Sequence, residues 1–175
     1  YPRLYNYGYK LCRHDGRTED CLQELFTWLW CKRAELDGVG NPGPYLFVSF
    51  RRRLLRASGD PRISLRPPGE EDMFSLELAV DEAIIDGESA ALRHEYLQKA
   101  LDTLTPRQRE AVFLRFYEAM PYEEIAAILE LSTKGTYKLV GRALCELRRY
   151  SEHHPVLNTL FSIGVICVAL RLTLA

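Results

Sequence analysis

The sequence predicts an all-α protein built from two small helical domains that an acidic linker joins. Apolar residues recur at helical spacing in several windows along the chain. Glycine- and proline-rich breaks separate these windows. Charge is segregated into blocks, although the formal net charge of the 175 residues is only −1. A chain of this length buries one modest core or two small ones.

Cysteine usage and the first residue add further expectations. The five cysteines are odd in number and include no Cys-x-x-Cys pair, so they favour neither a disulfide framework nor a zinc ribbon. We therefore expect a reducing, cytoplasmic location, with no metal site and no cofactor. Tyr1 is not a start methionine and no signal peptide follows it, which predicts that the sequence begins inside a longer chain.

The first predicted domain, residues 1–57, has a helix with one apolar side in the segment DCLQELFTWLW. The apolar residues at helical spacing are Leu22, Leu25, Phe26, Leu29 and Trp30. The other side is polar and carries Asp20, Gln23, Glu24 and Thr27. A Gly- and Pro-rich loop ends this helix, and Pro44 suits the first turn of the next one, PYLFVSFRRRLLR. That second helix is aromatic in its first half and cationic in its second.

Residues 58–88 form the predicted linker. From Pro67 to Glu88 the chain has eight acidic residues and no Lys or Arg. The Pro-Pro pair and the repulsion between carboxylates predict an extended segment. Basic blocks lie on either side of this acidic run, from Lys32 to Arg66 and from Ser132 to Tyr150. Two positive bodies joined by a negative segment indicate that a polyanion is bound at two places.

The second predicted domain, residues 89–152, is a series of helices. Thr105 and Gln108 form a capping-box signature, with Pro106 at the first helical position. The amphipathic helix RQREAVFLRFYE follows, then a break at Met120-Pro121, the short helix YEEIAAILE, a tight turn and a last helix with Ser132 as its predicted N-cap. A short helix, a turn of about three residues and a longer helix form a helix-turn-helix.

The last helix, LSTKGTYKLVGRALCELRRY, has an apolar side and a cationic side. We expect the buried side to consist of Tyr137, Val140, Leu144 and Leu147. The opposite side carries Lys134, Lys138, Arg142 and Arg149. Like charges at this spacing repel by about a few tenths of a kcal/mol per pair, whereas phosphates would reverse the sign and release counterions. The cationic row therefore predicts DNA binding, and a merely solvated face is the alternative.

Residues 101–150 resemble region 4 of bacterial sigma factors of the extracytoplasmic-function (ECF) class, in the sigma-70 family. The matching residues are Arg109-Glu110, Glu124-Ile125-Ala126, Ser132, Thr136, Lys138, Arg142-Ala143 and Leu147-Arg148. Response-regulator effector domains share the LTPRxRE part of this pattern, and the first domain separates the two families. Thr18 to Trp30 is similar to the Asp-x-x-Gln-Glu-x-Phe-x-x-x-Trp signature of the second sigma region, and Tyr45 to Arg56 occupies the place of its promoter-melting helix.

The resemblance implies a transcription initiation factor with three sets of contact residues. The minus-35 set is Ser132, Thr133, Lys134, Gly135, Thr136, Lys138 and Arg142. The minus-10 set, which would meet opened single-stranded DNA, is Tyr45, Phe50, Arg51, Arg52, Arg53 and Arg56. The set for a coiled coil of the polymerase beta-prime subunit is Asp20, Gln23 and Glu24. The implied partners are the RNA polymerase core, through its beta-prime and beta subunits, promoter DNA and an anti-sigma factor, with the linker passing through the active-site cleft and RNA exit channel.

Three residues depart from the family pattern. Arg52 stands where an Asn is usual in the melting helix. Glu130 replaces a Gly common in the turn of the helix-turn-helix, although the left-handed conformation is costly for Glu. Gly141 lies within the recognition helix, at about 1 kcal/mol relative to Ala, and it would permit close approach of DNA or of a neighbouring helix.

Two other classes of function are the alternatives. A stand-alone helix-turn-helix regulator would bind duplex operators without polymerase. An enzyme is disfavoured because the sequence shows no nucleophile–base pair, phosphate-cradling Gly loop or metal cluster.

The carboxyl-terminal tail, residues 153–175, contains the apolar run VLNTLFSIGVICVALRLTLA. We interpret it as a terminal helix that packs on the second domain or on a partner such as an anti-sigma factor. A membrane anchor is the alternative, although the run is at the lower limit of the length that crosses a bilayer.

Overall fold

The computed structural model describes residues 1–35, 41–57, 74–75 and 88–152, with side chains of the last range described from residue 95 onward. We call residues 1–57 the N-terminal unit and residues 88–152 the C-terminal unit. The helices of the N-terminal unit are α1 (Pro2–Cys12), α2 (Asp15–Cys31) and α3 (Pro42–Ala57), with a short 3-10 turn at Arg33–Glu35. Those of the C-terminal unit are α4 (Glu88–Asp102), α5 (Pro106–Val112), α6 (Tyr122–Ile128) and α7 (Thr133–Glu152). The predicted all-α fold class is confirmed.

Helix α1 packs closely on α3 because a glycine lies between them. Leu4, Tyr7, Gly8 and Leu11 recur at spacings of three and four and form the buried side of α1. A Cβ atom at Gly8 would lie 2.6 Å from the nearest ring carbon of Phe50. Any larger residue at position 8 would therefore push α1 and α3 apart.

The buried side of α2 differs in part from the prediction. Leu22 and Leu25 are buried as expected, together with Thr18 and Cys21. Phe26 and Trp30, which the sequence places on the apolar side of this helix, are 40% and 70% exposed. Each residue turns the helix by about 100°. Both residues therefore lie at the edge of the buried stripe that Thr18, Leu22 and Leu25 form.

Capping residues of the C-terminal unit agree with the prediction. The backbone N–H of Gln108 donates to Thr105 Oγ1 at 3.3 Å, and Thr105 N–H donates to Gln108 Oε1 at 2.8 Å, which forms the capping box. At α7, the N–H of Gly135 donates to Ser132 Oγ at 3.0 Å. The predicted helix RQREAVFLRFYE is not regular throughout, because α5 ends at Val112 and residues Phe113–Tyr117 adopt a π-helical turn.

The buried side of α7 agrees only in part with the expected stripe, since Thr136 and Ala143 are buried in place of Tyr137 and Leu144. It consists of Thr136, Val140, Ala143, Leu147 and Ser151. Val140 and Leu147 were predicted correctly, whereas Leu144 is only half-buried and Tyr137 is 53% exposed. Tyr137 lies outside the core because its ring stacks on that of Tyr122 in α6, with centroids 3.9 Å apart.

One apolar core crosses from the N-terminal unit into the C-terminal unit. Phe47, Phe50 and Leu54 of α3 belong to the same cluster of buried side chains as Phe113 and Ile125. A smaller second cluster joins α4, α5 and α7 through Leu101, Leu104, Val112, Ala143 and Leu147. The two units therefore pack directly on each other.

The predicted linker and tail fall mostly outside the described residues. Within the predicted linker, the described residues are Phe74, Ser75 and Glu88, the last of which begins α4. Phe74 is buried between Tyr7 and Phe113, with ring centroids 6.1 and 5.5 Å away. The N–H of Ser75 donates to the carbonyl oxygen of Lys10 at 2.9 Å. At this point the linker packs on both units and is not a solvated tether. Residues 153–175 lie outside the described part, so the structure gives no outcome for the tail.

Candidate nucleic-acid interface

Helices α6 and α7 form the predicted helix-turn-helix. Ala126 is buried where the two helices approach, and Leu131 N–H donates to the carbonyl oxygen of Ala126 at 2.8 Å across the turn. Glu130 adopts a left-handed conformation with φ of 53°. The turn thus keeps a conformation that favours Gly, and here a glutamate adopts it.

The cationic side of α7 is open to solvent. Lys134, Lys138 and Arg142 are exposed, and among the described residues none of the three has a carboxylate within ion-pair distance. Arg149, farther along the row, differs because its Nη2 lies 2.6 Å from Glu146 Oε2. Three adjacent cations without counter-charges can accept phosphate oxygens without first breaking an ion pair.

The other minus-35 candidates lie at the start of α7, where the hydroxyls of Ser132 and Thr136 make hydrogen bonds within the first turn. Ser132 is exposed, but its hydroxyl already caps the helix, and Thr133 and Gly135 are half-buried. Thr136 is fully buried, and its hydroxyl donates to the carbonyl oxygen of Ser132 at 3.2 Å. The expectation that Thr136 contacts DNA disagrees with this burial, because its side chain belongs to the core of the helix-turn-helix.

The recognition helix has one exposed aromatic residue, Tyr137, that was expected on its buried side. Tyr137 stacks on Tyr122, and the guanidinium carbon of Arg115 lies 4.7 Å from the Tyr122 ring centroid on the same stack. Gly141 follows Tyr137 one turn later, and a Cβ there would have no neighbour within 4 Å. Beside the cationic row, α7 therefore carries the stacked ring of Tyr137 and, one turn later, an uncovered surface at Gly141.

Helix α3 divides the minus-10 candidates into exposed and buried residues. Arg52 and Arg56 are exposed, and Tyr45 and Arg53 are half-buried. Phe50 is fully buried and Arg51 is 4% exposed. In this arrangement the side chains of Phe50 and Arg51 are covered and cannot reach DNA, which disagrees with their prediction as minus-10 contacts. The reason is that α3 packs on α1 and on the C-terminal unit, and this packing covers the side that holds both residues.

The half-buried minus-10 candidates form an aromatic and cationic group. The ring of Tyr45 stacks on Trp28 of α2, with centroids 6.4 Å apart. The guanidinium carbon of Arg53 lies 5.5 Å from the Trp28 ring centroid. Nucleobases stack on such rings irrespective of sequence while arginines contact the backbone. Trp28 is a member of this group that the sequence argument missed, although an aromatic residue next to the polar face was visible.

The polymerase-binding candidates share one side of α2. Asp20, Gln23 and Glu24 are all exposed, at spacings of three and one. Exposed Phe26 and Trp30 border this face, and the guanidinium carbon of Arg33 lies 4.9 Å from the Trp30 ring centroid. Glu24 also lies 3.9 Å from Arg53 Nη1, so the polar face of α2 adjoins the cationic side of α3.

Contacts between the two units bring together residues that the sequence left unconnected. Glu110 of α5 is fully buried and accepts from Arg51 Nε at 2.9 Å, from Arg51 Nη2 at 3.2 Å and from the Tyr7 hydroxyl. Arg52 Nε donates to Glu130 Oε1 at 2.9 Å. Two further contacts of the same kind join Arg3 to Glu118 at 2.6 Å and Asn41 to Glu124 at 2.8 Å. We call Glu110, Glu118, Glu124 and Glu130 the interunit glutamates.

The described residues give no sign of metal binding or of a membrane span. That part of the chain has no group of three or more His, Cys, Asp or Glu residues that could bind a metal ion. No helix in the described ranges is both long and apolar enough to cross a membrane.

Comparisons with known proteins identify the helix-turn-helix. The family model described as "Sigma-70, region 4" matches residues 94–147. The matched stretch covers α5, α6, most of α7 and the greater part of α4, and it contains Lys134, Lys138 and Arg142 of the cationic row. The predicted resemblance of this part of the chain to sigma-70 region 4 is therefore confirmed.

Curated relatives extend the similarity beyond the region 4 domain. The ECF RNA polymerase sigma factor SigK of Mycobacterium ulcerans is 23% identical over 147 residues, which cover 83% of this chain and 78% of that protein. SigK of Mycolicibacterium vanbaalenii is 25% identical over 71% of this chain and 63% of that protein. SigE of Mycolicibacterium smegmatis is 27% identical over 87% of this chain. The chain spans 58% of that last relative.

A solved structure shows the same fold. It is a co-crystal structure of the sigma factor RpoE in complex with the anti-sigma factor NepR from Bartonella quintana. The TM-score is 0.56, with 23% identity, and the match covers 86% of this chain and 91% of that one. Together, the family match and the relatives support a sigma factor function for this chain.

Proposed function

We propose that the chain is a sigma factor that binds the RNA polymerase core, recognises minus-35 and minus-10 promoter elements and helps to melt the DNA for transcription initiation. The observation that carries the proposal is the exposed row Lys134, Lys138 and Arg142 on the recognition helix of a sigma-70 region 4 domain. The polymerase supplies the chemistry of RNA synthesis, and this chain supplies binding and positioning. Such a role places the protein in the cytoplasm.

Duplex recognition would rest on α7. A recognition helix enters the major groove with its amino-terminal residues next to the base edges. Thr133, Lys134 and Lys138 lie in the first two turns of α7, where they would contact bases or phosphates. Arg142 and exposed Tyr137 would contact the backbone on either side.

Strand separation would rest on α3 and on the aromatic group beside it. Tyr45 and Trp28 offer ring surfaces, and Arg53 and Arg56 offer cations for the backbone of an opened strand. A flipped base that stacks on an aromatic ring recovers part of the energy that unstacking costs. This gives the protein a means of stabilising the melted minus-10 element.

Polymerase binding separates this proposal from a stand-alone duplex-binding regulator. We expect the protein to co-purify with RNA polymerase core, and a variant carrying Asp20→Ala and Glu24→Ala to lose most of this association, because both carboxylates lie on the exposed face of α2. The measurement is size-exclusion chromatography of the chain mixed with purified core enzyme.

A matched variant controls for the change in charge. Asp102→Ala with Glu152→Ala also removes two exposed carboxylates, but from α4 and α7, and should leave co-elution unchanged. If the wild-type chain elutes apart from core polymerase while binding duplex DNA, the stand-alone regulator is the better interpretation.

A further inference from the structure

The linker is held at a point between its two ends. Phe74 is 1% exposed and lies between the rings of Tyr7 in α1 and Phe113 in the π-helical turn, with centroids 6.1 and 5.5 Å away. Those two rings are themselves 6.3 Å apart. Burial of a large aromatic ring is among the strongest contributions that one side chain makes to a contact. Phe74 therefore attaches the linker where α1 meets the π-helical turn.

Hydrogen bonds attach the next residue to α1. The N–H of Ser75 donates to the carbonyl oxygen of Lys10 at 2.9 Å, and Arg13 Nη2 donates to the Ser75 hydroxyl. Arg13 is the C-cap of α1 and has φ of 52°, a left-handed conformation that is uncommon for Arg. Both hydrogen bonds are therefore made to the last turn of α1 and to its cap.

The N-terminal unit supplies most of these contacts. Tyr7, Lys10 and Arg13 provide a ring, an acceptor and a donor, whereas the C-terminal unit provides the ring of Phe113. We call Phe74 and Ser75 the anchor.

The position of the anchor divides the linker unequally. Residues 58–87, 30 in number, separate α3 from α4, whereas the 12 residues 76–87 separate Ser75 from α4. An extended chain spans at most about 3.5 Å per residue, so 30 residues reach roughly 100 Å and 12 residues roughly 40 Å. Attachment at Phe74 thus shortens by more than half the distance that the linker can span between the two units.

We propose that the anchor stays on α1 when the two units separate, so that residues 76–87 alone form the tether between them. The anchor then sets the greatest distance at which the two units act together. Its role in recognition rests on the proposed function, in which each unit binds one promoter element. Under that function, Phe74 limits how far apart along the DNA the two elements can lie.

A short tether also favours packing of the two units on each other. The effective concentration of linked groups falls roughly as the −3/2 power of tether length. A tether of 12 residues therefore gives an effective concentration about fourfold higher than a tether of 30 residues. Loss of the anchor should lower the ratio of packed to separated molecules by at least that factor, because the contact with Phe113 is lost as well.

The test places the same insertion on either side of the anchor. A Gly-Ser segment of about 20 residues is inserted after Arg62 in one variant and after Asp81 in the other. The second insertion lengthens the tether from 12 to about 32 residues and should lower the ratio of packed to separated molecules about fourfold. The first insertion lies outside the tether and should change this ratio by less than about 1.5-fold. Both variants keep every contact of Phe74.

Phe74→Ala removes the anchor and should make the two insertion sites equivalent. The tether then has 30 residues, so either insertion should lower the ratio about twofold. Phe26→Ala is the matched control, because it removes an aromatic ring that is 40% exposed on α2. In that control the fourfold effect after Asp81 and the absence of an effect after Arg62 should both persist.

The ratio is measured on the full chain by single-molecule energy transfer between dyes on Cys31 and Cys145, which are exposed. Cys12 and Cys21 are buried, and burial raises the pKa of the Cys21 thiol, which disfavours its labelling. Cys167→Ser removes the fifth cysteine. Urea below the unfolding transition is added so that both packed and separated molecules are counted.

Two results would overturn the proposal. One is an equal effect of the two insertions in the protein that keeps Phe74, and the other is no effect of either insertion. None of these measurements involves DNA or polymerase, so their failure leaves the sigma factor assignment to its own tests.

Discussion

Phe50→Ala is expected to lower the free energy of unfolding by about 3–5 kcal/mol, the range measured when a large buried aromatic side chain is truncated. The ring of Phe50 is fully buried and packs where Gly8 lets α1 approach α3. Removing it leaves a cavity that α1 cannot fill without breaking the other contacts of Tyr7 and Leu11. Urea denaturation followed by circular dichroism measures the loss.

Phe26→Ala provides the control, because Phe26 is 40% exposed on α2. It should change the free energy of unfolding by less than about 1 kcal/mol. A Phe50→Ala protein as stable as the wild type but unable to bind single-stranded DNA would contradict the structure. It would restore the sequence-based interpretation of Phe50 as a stacking surface for bases.

Substituting Lys134, Lys138 and Arg142 together by Ala is expected to weaken duplex binding roughly a hundredfold near 0.15 M salt. Each neutralised phosphate contributes about 0.9 to the slope of log affinity against log salt, so three contacts contribute about 2.7. The slope should fall by that amount. Fluorescence anisotropy with a labelled duplex, repeated from low to high salt, gives both quantities.

The control for this triple variant removes three positive charges elsewhere. Lys10, Lys32 and Lys99 lie on α1, just after α2 and on α4, and none of them belongs to the recognition helix. Their replacement by Ala should change the slope of log affinity against log salt by less than one. An equal loss in both triple variants would mean that net charge, and not the row on α7, governs duplex binding.

Local signals were the most predictable part of this fold. Capping at Thr105 and Ser132 follows from hydrogen bonds within four residues, and both caps are present. The helix-turn-helix was predicted for the same reason, since helix lengths and turn residues are encoded locally. Glu130 shows the limit of that reasoning, because a residue that disfavours the left-handed conformation adopts it where Arg52 binds its carboxylate.

Errors arose where side-chain direction depends on how helices dock. Tyr137 and Phe26 are apolar residues at helical spacing, yet both lie at the edge of a stripe, and only packing decides on which side an edge residue falls. Arg51 illustrates the larger difficulty. Its partner Glu110 is 59 residues away, and no local pattern pairs two residues whose contact depends on the docking of two units.

The sequence predicted which residues belong to the candidate site, but it did not predict how they are arranged in space. Lys134, Lys138, Arg142, Asp20 and Gln23 are exposed where the sequence argument needs them. Their roles in binding remain predictions. The packing of α3 against α5 could not be predicted from the sequence. This packing buries Phe50 and Arg51 of the minus-10 set.

Run-off transcription with purified RNA polymerase core tests the central claim most directly. The template is linear promoter DNA from upstream of the chain's own operon. With the protein added, core enzyme should produce a transcript of one defined length, and with core enzyme alone it should not. A correctly folded protein that directs no defined start on such templates, although the core enzyme is active with another sigma factor, would contradict the account.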